Sequence, residues 1–239
     1  ILSVLQCLKY LNTDNSKEVK EKTNEYRKII KRNSLKIIKL IDNLIDTTKL
    51  EGDNYHLNKT NLDIVNVVES IVDSIEVYAN EKKINIIFDT NVEEFMINAD
   101  LEAVDRIVMN LLSNAIKFSP VDEVIEVTVN AEENNVEISV KDNGIGIAEE
   151  EQKKIFNRFE QATNSKRVEG KGSGIGLDLV SYLVKSHGGK IQLNSKLNEG
   201  SEFIVTLPVG KLSEDKENHE LMSRNKVEQL EIEFSDIYL

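Results

Sequence analysis

Asn110, Asn114 and Lys117 fall at i, i+4 and i+7 within the run from Ala99 to Pro120, so a helix there would carry all three polar side chains on one strip. An amide oxygen is a neutral ligand for a hard cation, and an ammonium is a point charge for phosphate. Two amides and a lysine on an otherwise apolar helix can therefore serve a phosphate and its magnesium. A plain amphipathic helix with a polar outer face would show the same strip. Downstream, Asp142, Gly144 and Gly146 directly follow a strand-like run. Their glycines allow tight turns and close approach of backbone to a ligand, and the aspartate can accept a hydrogen bond from an amine such as adenine N6. Taken alone, this segment also reads as an ordinary turn. Gly170, Gly172, Ser173, Gly174, Gly176 and Leu177 open a helical pattern. Free backbone N–H groups and the helix dipole would there face an anion. The spacing is neither that of a P-loop nor that of a dinucleotide fingerprint. Between the glycine runs, Ile155 to Phe159 precedes a polar stretch from Gln161 to Lys171. Arg158, Lys166, Arg167 and Lys171 make that region locally basic. A polar, glycine-flanked segment of this length suits a mobile lid.

The elements that must hold these residues follow from periodicity. Asp100 is a helix N-cap, and Leu101, Val104, Ile107, Val108, Leu111, Leu112 and Ala115 recur at helical spacing. A second helix is expected from Ser173 or Gly174 to His187, stopped by Gly188 and Gly189. Strands are expected at 55–59, 84–89, 95–98, 124–129, 135–141, 190–195 and 201–207. Thr60 and Asp63 read as a capping box for a helix from about Leu62 to Asn80. This content predicts an α+β fold, a two-layer α/β sandwich with a mixed, largely antiparallel sheet and helices on one face.

Upstream the pattern is purely helical. Apolar residues at 1, 4, 5, 8 and 11 continue an amphipathic helix already under way at Ile1, which points to a piece of a longer protein. After a polar turn, a long helix runs from about Glu18 to Leu50, with Ile30, Ile37 and Leu44 in a seven-residue step. This N-terminal helical hairpin is expected to bury its stripe as a dimeric four-helix bundle, a homodimer. Packing of the stripe on the C-terminal domain is the alternative. The expected domains are 1–52, the hairpin; 53–210, the α/β sandwich; and 211–239, a tail with eight carboxylates against four basic residues. The tail is expected to be free, with a strand on a sheet edge as the second reading of Leu230, Ile232 and Phe234.

Charged residues make up 30% of the chain and the net charge is −12, which excludes nucleic acid and anionic membranes as broad-surface partners. The single cysteine, Cys7, excludes an internal disulfide and fits a reducing, cytoplasmic setting. No apolar run is long enough to span a bilayer, so membrane attachment is expected only through regions upstream.

In order, these segments resemble the sensor histidine kinases of two-component signalling. Asn110 to Phe118 is similar to that family's N box, and Asp142, Gly144 and Gly146 to its first glycine box. Phe156 to Phe159 is similar to its F box, and Gly172, Gly174, Gly176 and Leu177 to its second glycine box. The resemblance implies the ATP-binding fold shared with type II topoisomerases, a heat-shock chaperone and mismatch-repair proteins. It implies ATP and Mg²⁺ as cofactors, with Asn114 ligating the metal and Asn110 and Lys117 near the phosphates. Asp142 would read adenine with Gly146 beside the base, and Gly172, Ser173, Gly174 and Gly176 would lend N–H groups to the phosphates. Arg158 would reach the γ-phosphate, and Thr206 would line the adenine end. The implied partners are a second copy of the chain and a response-regulator receiver domain, whose aspartate takes the phosphoryl. The family's acceptor is a histidine followed by an acidic residue on the first hairpin helix. His56, His187 and His219 do not match it, so the chain is expected to lack the acceptor and not to phosphorylate itself. The other readings are a degenerate nucleotide-binding switch, a topoisomerase- or chaperone-type ATPase, and a serine kinase.

Overall fold

The computed structural model describes residues 17–51, 56–163, 174–212 and 226–236. The first hairpin helix, Cys7 and the lid stretch from Lys166 to Lys171 lie outside the described residues. So do Gly172, Ser173 and His219.

Helix α1 (Lys17–Glu51) is the second helix of the predicted hairpin. It leads to strand β1 (Thr60–Asp63) and helix α2 (Ile64–Glu81). Then come β2 (Asn85–Thr90), β3 (Met96–Ala99), helix α3 (Leu101–Phe118), β4 (Val124–Ala131) and β5 (Asn135–Asp142). The short helix α4 (Glu149–Gln152) and a 3-10 turn (Lys154–Phe156) precede helix α5 (Gly176–Ser186), β6 (Lys190–Lys196) and β7 (Gly200–Pro208). Helix α6 (Lys226–Glu233) and a 3-10 turn (Phe234–Asp236) end the described chain.

The main sheet has the order β2-β4-β5-β7-β6, parallel only between β2 and β4, and β1 with β3 forms a separate antiparallel ribbon. Alternation sets its two faces. Ile125, Val127, Val129, Val136, Ile138, Val140, Phe203, Val205 and Leu207 are buried and form one core with α2, α3 and α5. The in-between residues form the polar face, where Lys141 pairs with Glu126 at 2.8 Å and Ser139 donates to Glu202 at 3.0 Å. This is the expected two-layer sandwich with a mixed sheet. No helix among the described residues is long and apolar enough to cross a membrane.

Three local expectations are corrected. The strand expected at 55–59 lies later: 56–59 have no regular structure, and Thr60–Asp63 is the strand, paired with Met96–Ala99. Thr60 therefore caps nothing. Asp63 is the N-cap, its Oδ1 accepting from the N–H of Val65 at 3.1 Å and of Phe95 at 3.0 Å. A carboxylate that satisfies two backbone donors outcompetes the hydroxyl three residues earlier. The tail is neither free nor a strand between Lys226 and Asp236. Leu230 and Phe234 stand four residues apart and both are buried, so helical spacing prevails over the alternation that Ile232 suggested. Finally, α1 touches α5 and α6, yet Ile37, Ile38, Leu40, Ile41 and Ile45 remain exposed along it.

Candidate functional site

A cleft between α3, the end of β5 and the start of α5 encloses about 1110 Å³ of empty space, its open mouth included. On its wall stand Asn110, Ser113, Asn114 and Lys117 from α3, and Asp142 and Gly146 from the turn after β5. Gly174, Gly176 and Leu177 form the entry to α5 on the same wall.

Helix α3 is fixed at both ends. Asp100 accepts from the N–H of Ala103 at 3.0 Å and from that of Asn58 at 2.7 Å. At the other end, Lys82 Nζ donates to the carbonyls of Ile116, Lys117 and Ser119 at 2.8, 2.9 and 2.7 Å. These carbonyls lie at the C-terminal end of the helix, where a donor from outside is useful and the ammonium also favours the negative end of its dipole. Burial lowers the pKa of Lys82. The helix is therefore held where its polar strip faces the cleft. Lys117 is buried apart from that opening, its Nζ 5.4 Å from the centre of the Phe118 ring.

The Asn110 amide group donates to the carbonyl of Arg106 at 2.8 Å, which turns its oxygen toward Gly176. A Cβ on Gly176 would come within 2.4 Å of that oxygen. A larger residue at the start of α5 would therefore displace the Asn110 side chain from this position. The residue before Gly176, Ile175, makes no side-chain cap, and Gly174, Gly176 and Leu177 at this helix start line the cleft. The carbonyl of Gly174 accepts from the N–H of Phe159 at 2.8 Å, joining the end of the F-box-like run to the start of α5.

Asp142 ends β5 and is only 7% exposed. Its Oδ1 accepts from the N–H of Gly144 at 2.8 Å. Burial pushes its carboxyl up to about 6, while the N–H groups of Gly144 and Ser201 pull it down. Gly146 has φ +60°, and a Cβ there would lie 1.9 Å from the carbonyl of Lys196. The glycine turn thus lies flat on the β6–β7 loop, with Asp142 directed into the cleft. Phe203, Ile145 and Ile147 complete an apolar end beside the carboxylate.

Three expected residues are not on this wall: Gly144, whose N–H donates to the Asp142 carboxylate, Arg158 and Thr206. The Arg158 Nε donates to Asp178 on α5 at 3.1 Å, and Arg158 is not among the residues lining the cleft. Thr206 lies on the polar face of the sheet, where its hydroxyl donates to Glu137 at 3.3 Å. Strand alternation explains it: Ser201 and Phe203 share the cleft side, and an even-numbered position on β7 points away. Ser201 and Phe203 are among the residues that motif spacing missed, and the pairing of Asp142 with Ser201 is the signal that reveals them. Lys39 of α1 and Glu233 of α6 also line the cleft, and no motif pointed to them.

Among the described residues there is no cluster of histidine, cysteine or carboxylates able to cage a metal ion. Amide oxygens on α3 fit a divalent ion held chiefly by a polyphosphate rather than one held by protein alone.

Residues 99–211 match the histidine kinase-, DNA gyrase B- and HSP90-like ATPase family. The histidine protein kinase DivJ of Caulobacter vibrioides is 30% identical over 185 residues, 77% of this chain and 31% of its own length. The sensor histidine kinase WalK of Bacillus subtilis is 30% identical over 182 residues, 75% of this chain and 30% of its own. The chain thus spans about a third of the length of these relatives. Among solved structures, the catalytic domain of histidine kinase ThkA superposes with a TM-score of 0.57 at 27% identity, covering 64% of this chain and 99% of that one. Full-length ShkA in complex with AMPPNP superposes with a TM-score of 0.68 at 24% identity, covering 89% of this chain and 44% of that one.

Proposed function

Because the chain belongs to the sensor histidine kinases, whose ATP-binding catalytic domain it carries, we propose that it binds MgATP in the cleft between α3 and α5 and transfers the γ-phosphoryl to a histidine. One observation carries the reading. A buried carboxylate beside an apolar end stands across the cleft from two amides, an ammonium and an uncapped helix N-terminus. One end of that arrangement suits a base with an exocyclic amine, the other a polyphosphate.

Asp142 accepts the adenine amine, and Gly146 lies beside the ring. Lys117 and the N–H groups at Gly174 and Gly176 neutralise the phosphates, with Gly172 and Ser173 assigned to the same role from their sequence positions. Asn110 orients the phosphate end, and Asn114 would hold Mg²⁺. When bound, the ion would draw charge from the phosphoryl oxygens. Phosphoryl transfer needs little more from the protein than alignment and such charge neutralisation. The acceptor is a histidine on a hairpin helix, and a response-regulator aspartate takes the phosphoryl from it. His187 cannot be that acceptor. It is 4% exposed, its Nε2 accepts from the N–H of Asp100 at 3.1 Å, and its Nδ1 faces the Leu183 carbonyl at 2.8 Å.

Incubation with γ-labelled ATP tests the transfer. The present chain is expected to stay unlabelled at His56, His187 and His219. A version extended at its N-terminus by a hairpin helix that carries a histidine followed by an acidic residue is expected to acquire an acid-labile, base-stable phosphohistidine. Absence of label on that version with ATP binding intact would favour a nucleotide-binding switch, and an acid-stable label a serine kinase.

A further inference from the structure

Lys39 of α1 and Glu233 of α6 are among the cleft-wall residues that come from neither the N box nor the glycine runs. They join each other. Lys39 Nζ donates to the Glu233 carbonyl at 2.7 Å and to its carboxylate at 3.1 Å, with both side chains less than a fifth exposed. The next residue, Phe234, is fully buried and stacks on Tyr78 of α2, ring centres 4.7 Å apart and planes 15° apart. Leu230 is buried one turn earlier, and Glu231 pairs with Lys31 of α1 at 2.7 Å. The segment Lys226–Asp236 therefore grips the hairpin helix with two ion pairs and the catalytic domain with an aromatic anchor, at the mouth of the cleft.

We infer that the C-terminal helix is an autoinhibitory strap that fastens the catalytic domain to α1 and opposes nucleotide entry. The inference rests on the assignment of this cleft to ATP. Two physical consequences follow from the contacts. A carboxylate at the mouth repels a polyphosphate, and it occupies an ammonium that would otherwise attract one. The strap also fixes the spacing between α1 and the cleft, whereas in-line transfer requires the γ-phosphate to be brought up to a hairpin histidine. Release of the strap is thus a step before transfer, and anything that captures residues 226–236 would activate.

Two single variants of the full chain test this. Phe234→Ala removes the anchor, and Glu233→Gln leaves the packing and removes the charge. Affinity for MgATP is measured by calorimetry at low and high salt, and amide hydrogen exchange along α1 and α2 is followed in the same samples. If the docked form predominates, Phe234→Ala is expected to bind at least about fivefold more tightly, because apparent affinity scales with the competent fraction. Exchange in α1 should rise with it. Glu233→Gln is expected to bind more tightly at low salt only, by about twofold or more. Unchanged or weaker nucleotide binding in both variants overturns the strap while leaving the ATP site standing. Failure of every chain to bind nucleotide, with α1 exchange raised in Phe234→Ala, overturns the ATP assignment and the inhibitory role with it.

Discussion

Asp142 concentrates a conflict between stability and binding in one carboxyl group. Its pKa in the folded chain, about 6, lies above the ordinary 3.8, so the native state holds its proton more tightly than the unfolded state. Stability of the ligand-free chain therefore falls as pH rises from about 4 to 6, by on the order of 2–3 kcal/mol, and stays lowered above that. Nucleotide binding has the opposite sign, since only the carboxylate accepts from an amine without competition from its own proton. ATP affinity is expected to drop as pH falls through about 6, measured by titration between pH 5 and 8. Asp142→Asn is expected to unfold later than wild type at pH 7.5, by up to about 2 kcal/mol, with the gap closing toward pH 4 and ATP affinity much reduced. Thermal melts at both pH values check the first part and calorimetry the second. Asn114→Ala differs in kind: it is expected to leave some ATP binding but abolish the benefit of added Mg²⁺. Retention of the full metal effect would remove Asn114 from the metal site.

At the level of elements, the two ends of α3 carry the site. Lys82 caps three carbonyls with one ammonium, and the backbone it holds leads directly to Phe118, whose carbonyl abuts Gly144. Lys82→Met is expected to cost about 1–3 kcal/mol in urea unfolding and to weaken nucleotide binding, because those buried carbonyls lose their partner. The polar strip and the cap at Asp100 were legible in the sequence, since both depend on spacing within one helix. The sheet was legible for the same reason, alternation being local. The Lys82 cap was not, because it joins positions more than thirty residues apart. Nor was the side of the sheet on which Thr206 sits, since a strand's facing is fixed by its register with β5. The tail helix misled for a simpler reason. Leu230, Ile232 and Phe234 satisfy a period of two, and only the aromatic surface of Tyr78 selects the helical pair.

The whole molecule leaves a different surface unaccounted for. Helix α1 is partly covered by α5 and α6, but Ile37 and Ile41 remain about half exposed on a helix whose stripe keeps a seven-residue step. We expect a homodimer through this stripe. Ile37→Lys with Ile41→Lys is expected to give monomers that still bind ATP, because neither residue lines the cleft. Light scattering decides it, and a wild-type monomer at micromolar concentration would refute the bundle.

The strand order has a consequence for how the molecule comes into being. β5 pairs with β4 across a short turn, but its other neighbour is β7, and the glycine turn, α5 and β6 all lie between them in the chain. The β4–β5 hairpin can form early from local contacts, whereas the β5–β7 pairing must first close that long loop. Asp142 pairs with Ser201 in that late register. The Ser201 and Phe203 side of the cleft is therefore added only when the sheet is completed, after the wall supplied by α3 and β5.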